Sequence, residues 1–247
     1  MTVKSSEELD GLRKIGAIVA EARDLMRDSV RPGMTTMELD DIGARFMTAR
    51  GARSSPQMVY SFPGYSCISV NDEVVHGVPC DRRIAPGDLV KVDVTAELEG
   101  FVADSAITVL VPPERQQGKR LLACARAAFQ RAMKYARAGN RLNLIGRAVE
   151  NETRIRGFAV VRELCGHGVG RSIHEAPEVS NFYEPRDPTI LTEGLVIAVE
   201  PILSERPSRL VKEDDGWTLR THNRCLAVHY EHTIVITRDK PIIITAA

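Results

Sequence analysis

An α+β domain built from two related halves is predicted by three observations. The order helix, helix, strands runs through the chain once and then again, and four local motifs of the first half recur in the second. Neither half is large enough to close a core alone. Halves of about 1–112 and 113–247 should therefore pack around a pseudo-twofold axis as the single domain 1–247, with antiparallel strands at the centre and helices outside.

The elements follow in order. Ser5-x-x-Glu8 is a capping box, and Leu9, Leu12, Ile15, Val19, Ala22 and Leu25 recur at helical spacing, so a first amphipathic helix runs to about Val30 and Arg31-Pro32-Gly33 ends it. A second capping box, Thr35-x-x-Glu38, opens a helix that turns Leu39, Ile42 and Phe46 inward and closes at Gly51. The stretch from there to about Cys80 reads as short strands. Asp88 to Thr95 and Phe101 to Val111 form two strands around a turn at Glu99-Gly100, and Pro112-Pro113 breaks the sheet. A third helix covers about Arg115 to Ala136, and Asn143 is the expected N-cap of a fourth that reaches about Ile155. Strands dominate the remainder.

The repeat is specific in residue type. His76-Gly77-Val78-Pro79 is answered by His167-Gly168-Val169-Gly170, and the strand Gly87 to Asp93 by Gly194 to Glu200, each glycine standing six residues before a carboxylate. Asp104-Ser105-Ala106-Ile107 is answered by Glu231-His232-Thr233-Ile234, and Arg31-Pro32-Gly33 by Arg137-Ala138-Gly139.

Bulk properties exclude several functions. Thirty-three basic residues balance 33 acidic ones, so no overall field draws the chain to nucleic acid or to an acidic membrane. The five cysteines are odd in number, scattered and never spaced C-x-x-C, which argues against a disulfide framework or a zinc knuckle and for a reducing, cytoplasmic setting. The first residues contain no apolar secretion signal and no later segment is long and apolar enough to span a bilayer. Gly166 to Gly170 lacks the spacing of a phosphate-binding loop.

Each half thus contributes two carboxylates and a glycine-flanked histidine. One acidic residue at a strand end is ordinarily a solvated residue. Four of them, arranged as a matched set at the interface of two halves, would repel one another or be costly to dehydrate unless cations neutralised them, and two divalent cations would do so. His222, His229 and His232 have no glycine-flanked counterpart and are expected to be surface, packing or supporting residues without chemistry of their own.

SVNDEVVHGVP around His76, KVDVTAELEGFVADSA around Asp93 and Asp104, CGHGVGRSIHEAPEV around His167 and His174, AVEP at Glu200 and YEHTIVIT at Glu231 together resemble the bacterial type I methionine aminopeptidases, from the first helix to about Thr237. The resemblance implies the pita-bread fold. It also implies Asp93, Asp104, His167, Glu200 and Glu231 as ligands of two divalent cations (cobalt, manganese or iron(II)), with Asp104 and Glu231 bridging. His76 and His174 would face the scissile amide, and Phe62, Cys67 and Trp217 would line the pocket for the first side chain, with Ile173 where the family often has an aromatic residue. The sequence departs from the family's usual HGDTS context, reading Val102-Ala103-Asp104-Ser105-Ala106, which alters packing and hydroxyl supply around a bridging ligand.

The expected reaction is removal of the initiator methionine from nascent polypeptides with a small second residue. Two ions share a water acidified to hydroxide, and Glu200 serves as general base and then as proton donor to the leaving amine. The family is generally monomeric, and whether substrates are met at the ribosome stays open. Two alternatives remain: a prolidase-like hydrolase on the same ligand types, and a non-catalytic relative that binds protein or RNA.

Overall fold

A computed structural model describes residues 1–246. The first half runs α1 (Ser6–Ser29), α2 (Thr36–Thr48), β1 (Arg53–Ser54), α3 (Ser55–Tyr60), β2 (Cys67–Val70), β3 (Glu73–Val75), β4 (Leu89–Leu98) and β5 (Phe101–Leu110). The second runs α4 (Gln116–Met133), α5 (Asn143–Ile155), β6 (Ala159–Val160), β7 (Cys165–Gly168), β8 (Glu175–Ser180), β9 (Val196–Val199), β10 (Ile202–Ser204), β11 (Leu210–Lys212), β12 (Leu219–Thr221), β13 (Ala227–His229), β14 (His232–Val235) and β15 (Ile242–Ile243). Among the described residues no helix is long and apolar enough to cross a membrane.

Two antiparallel sheets, one from each half, dominate. β4 pairs with β1, β2 and β5, while the second sheet has the order β15-β14-β9-β7-β8. Helices α1 and α2 cover the first sheet through Ile15, Val19, Met26 and Leu39 packed on Val90, Val92 and Val94. Helices α4 and α5 cover the second through Leu121, Phe129, Ile145 and Val149 packed on Ile197, Val199 and Ile234. The helices are thus outside and the strands within, as an apolar helix stripe on a sheet face requires.

The repeat is visible in the hydrogen bonds. Gly33, at φ 87°, donates to Ile84 O, and Ile84 N donates to Met34 O; in the second half Gly139, at φ 90°, donates to Leu191 O, and Leu191 N donates to Asn140 O. The glycines that open the two matched strands, Gly87 and Gly194, share φ values of 84° and 83°. Only glycine takes this left-handed conformation without a steric cost, which explains its recurrence at equivalent turns.

Local signals mostly act as the sequence implies. Ser5 and Thr35 accept bonds from the Glu8 and Glu38 amides, and Glu38 completes its box by accepting from the Thr35 amide. Glu99 and Gly100 have φ of 53° and 81°, the paired positive values of the tight turn that best matches strand twist. Three expectations fail. The box at Ser5 closes on one side only, because Glu8 Oε2 accepts from the Lys4 amide at 2.8 Å instead of from the Ser5 amide. Residues 55–60 form a helix rather than a strand, because Ser54 caps the Gln57 amide and Pro56 stands in the first turn. Asn143 does not cap α5: the chain already turns helically at Leu142, and the Asn143 amide instead donates to Glu184 O at 2.9 Å.

The halves are sewn together by hydroxyl groups. Along β5 and the segment from β13 to β14, Thr233 Oγ1 both accepts from Asp104 N and donates to Asp104 O, each at 2.9 Å. Glu231 N donates to Ala106 O, Ser105 Oγ donates to Glu231 O at 2.7 Å, and Thr108 Oγ1 donates to His229 O at 2.9 Å. Replacing Thr233 by Val leaves the buried Asp104 amide and carbonyl without this partner, at a cost of about 2 kcal/mol. Urea unfolding of metal-free Thr233→Val should show that loss and Thr233→Ser should show little of it; equal losses in both variants would contradict the seam.

Candidate metal centre

The seam fixes where the carboxylates stand. Asp93 on β4 lies opposite Cys67 on one side and Ala106 on the other, and Asp104 on β5 lies opposite Thr95. Glu200 follows β9 and Glu231 precedes β14, where the pairing of Val199 with His232 brings the two strand ends together. Asn181 Nδ2 donates to Glu200 O at 2.8 Å and holds that backbone in place. His167 enters from β7, beside β9 in the same sheet.

All five side chains project into one cavity of about 750 Å³, together with His76, His174, Phe62, Cys67, Ile173, Trp217 and others. His167 Nε2 is 3.8 Å from Asp104 Oδ2 and 3.7 Å from Glu200 Oε1. Its Nδ1 is 2.9 Å from Gly168 O, so the proton sits on Nδ1 and the Nε2 lone pair faces the carboxylates. Asp104, His167 and Glu231 offer ligand atoms within 4.8 Å of one another, as do Glu200, His229 and Glu231, so Glu231 belongs to both groups. Asp93 belongs to neither group but lines the same cavity.

Whether cations fit is decided by what the carboxylates lack. Asp93 Oδ1, Asp104 Oδ1 and Glu231 Oε1 are buried without a hydrogen-bond partner. Among the described residues no lysine or arginine makes an ion pair with any of the four acids; the nitrogens near them are the His167 and His229 imidazoles. Burial above all, and then the neighbouring carboxylates, holds Asp93, Glu200 and Glu231 well above the usual carboxylate range. Asp104 is raised to about 6, chiefly by burial. Burial likewise lowers His167 and His229 to about 4, keeping both rings neutral near pH 7. Anionic oxygens and neutral imidazole nitrogens, buried and lacking donors, are the donor set of divalent cations.

The other sequence-derived residues form the walls. Phe62 and Trp217 meet edge to face at 5.3 Å between centroids, with Phe62, Cys67 and Ile173 buried and Trp217 half-buried. His76 stands exposed at φ 58°, a left-handed backbone that is uncommon for a side-chain-bearing residue, and Thr218 Oγ1 donates to its carbonyl. His174 is also exposed, with its ring 4.3 Å from that of His167.

Two residues of the cavity escape the sequence reading. Tyr60, at the end of the helix mistaken for a strand, places its hydroxyl 2.6 Å from His174 Nδ1. His229, expected to be without chemistry, is buried with Nε2 at 3.3 Å from Glu200 Oε2 and 3.4 Å from Glu231 Oε2. The available signal was strand alternation, which puts His229 and Glu231 on one side of an extended chain. His222 is at the surface, and His232 is a packing residue that meets Tyr230 Oη and Thr245 Oγ1.

Comparison with known proteins gives a consistent picture. The profile of metallopeptidase family M24 matches residues 10–238. Methionine aminopeptidase 2 of Bacillus subtilis is 47% identical over 99% of both chains, and a methionine aminopeptidase of Helicobacter pylori is 32% identical over 99% of this chain and 98% of its own. The crystal structure of a methionine aminopeptidase from Thermotoga maritima superposes with a TM-score of 0.96 at 32% identity, each chain fully covered. A prolidase from Pyrococcus furiosus shares the fold, with a TM-score of 0.81 at 23% identity, and this chain covers 66% of it.

Asp104 supplies a pH test of the buried charge. A carboxyl held at about 6 in the fold and near 4 when unfolded stabilises the protein below pH 4, and that stability is lost as pH rises through 6. In metal-free protein, Asp104→Asn should therefore gain stability over wild type as pH rises from 4 to 6. A difference that stays flat across that range in thermal melts would contradict the assignment.

Proposed function

Because the chain belongs to metallopeptidase family M24, we propose that it is a methionyl aminopeptidase that hydrolyses the first peptide bond of chains beginning with methionine. The observation that carries this reading is the pair of ligand groups sharing Glu231 at the floor of an apolar-walled cavity. We assign Asp93, Asp104, His167, Glu200 and Glu231 as the residues that hold two divalent cations. Bound there, the cations supply acidification of a water molecule and polarisation of the peptide carbonyl. Cobalt, manganese and iron(II) all suit such a mixed carboxylate and imidazole donor set.

The chain's own groups do the rest. Glu200, whose carboxylate faces the cavity at the end of β9, takes the proton of the attacking water and passes it to the leaving amine. Tyr60 Oη lies 2.6 Å from His174 Nδ1; in the tautomer in which the phenol donates this hydrogen bond, the His174 Nε2–H is free to donate to the carbonyl oxygen. His76, held in its left-handed conformation in the cavity wall, faces the scissile amide and contacts the peptide. The Phe62–Trp217 edge, Cys67 and Ile173 form a soft apolar slot for the unbranched thioether, which gains sulfur–aromatic contact there. A free α-amino group is required because a carboxylate-rich floor and its cations recognise an amine lone pair that acylation removes. Nascent polypeptides with a small second residue are the substrates, and a cytoplasmic location accords with five cysteines that are all free thiols.

Metal-stripped protein reconstituted with manganese or cobalt should release methionine from Met-Gly-Met-Met and leave acetyl-Met-Gly-Met-Met and Gly-Pro-Met-Met intact. Cleavage of the proline peptide would favour the prolidase-like alternative, and silence on all three peptides with every metal would favour a binding module. Glu200→Gln should lower kcat by about 10²- to 10⁴-fold; near-normal turnover would remove Glu200 from its role.

A further inference from the structure

His229 closes β13, and its position is fixed from both sides. Its backbone N–H donates to Thr108 Oγ1 at 3.0 Å, Thr108 Oγ1 donates to its carbonyl, and β10 pairs with it at Ile202. The imidazole is therefore aimed into the cavity by two strands from different halves, its side chain 3% exposed. Nε2 approaches one oxygen of Glu200 and one of Glu231 at nearly equal distances, 3.3 and 3.4 Å, yet makes a hydrogen bond to neither.

With the ring proton on Nδ1, Nε2 turns a lone pair toward two carboxyl oxygens, and the three atoms repel one another once both carboxyls are ionised. The arrangement is favourable when a cation stands between the three atoms. Ligand atoms about 2.1 Å from a shared ion lie roughly 3.0 Å apart at a right angle and about 3.4 Å apart at the tetrahedral angle, and the observed separations fall within that range.

We propose that His229 is a protein ligand of the metal centre, giving Nε2 to a cation that Glu200 and Glu231 also bind. The centre then holds one imidazole in each of its two ligand groups, His167 in one and His229 in the other, with Glu231 common to both. This rests on the two-cation reading above and adds a residue to its ligand set. A second imidazole shifts preference from manganese toward the metals that favour nitrogen, cobalt, nickel and zinc among them.

Cobalt(II) provides the test, because the ring N–H of each cobalt-bound histidine gives its own strongly shifted, solvent-exchangeable proton signal. Protein loaded with two equivalents should show two such signals, His229→Gln should lose one and His167→Gln the other. Calorimetric titration of His229→Gln should show one of the two cobalt affinities weakened by about 10-fold or more. A single exchangeable signal in wild type that survives His229→Gln would overturn the proposal while leaving the two-cation centre standing. Failure of wild-type protein to take up cobalt at all would overturn both.

Discussion

Three buried carboxylates and a half-buried fourth, Asp93, whose Oδ1 is itself buried, with no lysine or arginine of the described chain to balance them, are the constraint on which the rest of this structure depends. An unpaired buried charge costs several kcal/mol. Asp93, Asp104, Glu200 and Glu231 are therefore tolerable only when partly protonated or when cations enter, and the raised proton affinities express the first alternative in the metal-free protein. The same groups have oxygens without hydrogen-bond donors, which is the requirement of the second.

The fold provides the stiffness this concentration of charge demands. Each half presents its acids within or directly beside strands held by antiparallel pairing, and each sheet is backed by two helices. Between the halves, threonine and serine hydroxyls stand in for ladder hydrogen bonds, so Asp104 and Glu231 lie across a seam that is bonded at Thr233, Ser105 and Thr108. The Ser105 hydroxyl has two partners: it accepts from the buried Arg23 at 2.6 Å and donates to Glu231 O, so the segment around Asp104 supplies a hydroxyl where the seam uses one. Above this rigid floor the walls are apolar and aromatic, which separates the part of the cavity that selects a side chain from the part that carries charge.

Much of this was legible in the sequence because its signals are local or repeated. The N-cap at Ser5, the capping box at Thr35, the turn at Glu99-Gly100, and two glycines each six residues before a carboxylate all have a direct mechanical meaning. What stayed hidden depends on contacts between distant segments. Tyr60 and His174 are 114 residues apart, and nothing near either one announces their bond. Helix α3 carried its own signal in Ser54 and Pro56, but at six residues it is too short for periodicity to reveal. Lys91 reads as the polar member of an apolar strand; the fold buries it completely and satisfies it with the carbonyls of Asn71 and Ala227. His229 was set aside because it lacks a repeat partner, and internal symmetry is blind to a residue that only one half contributes.

The central claim is that the chain's folded geometry is a container for two cations, and anomalous diffraction from crystals of the manganese-loaded protein tests it most directly. Two peaks within the group formed by Asp93, Asp104, His167, Glu200 and Glu231, both in contact with Asp104 and Glu231, are predicted. An absence of peaks at saturating manganese, with the four acids paired to one another through shared protons, would contradict the account.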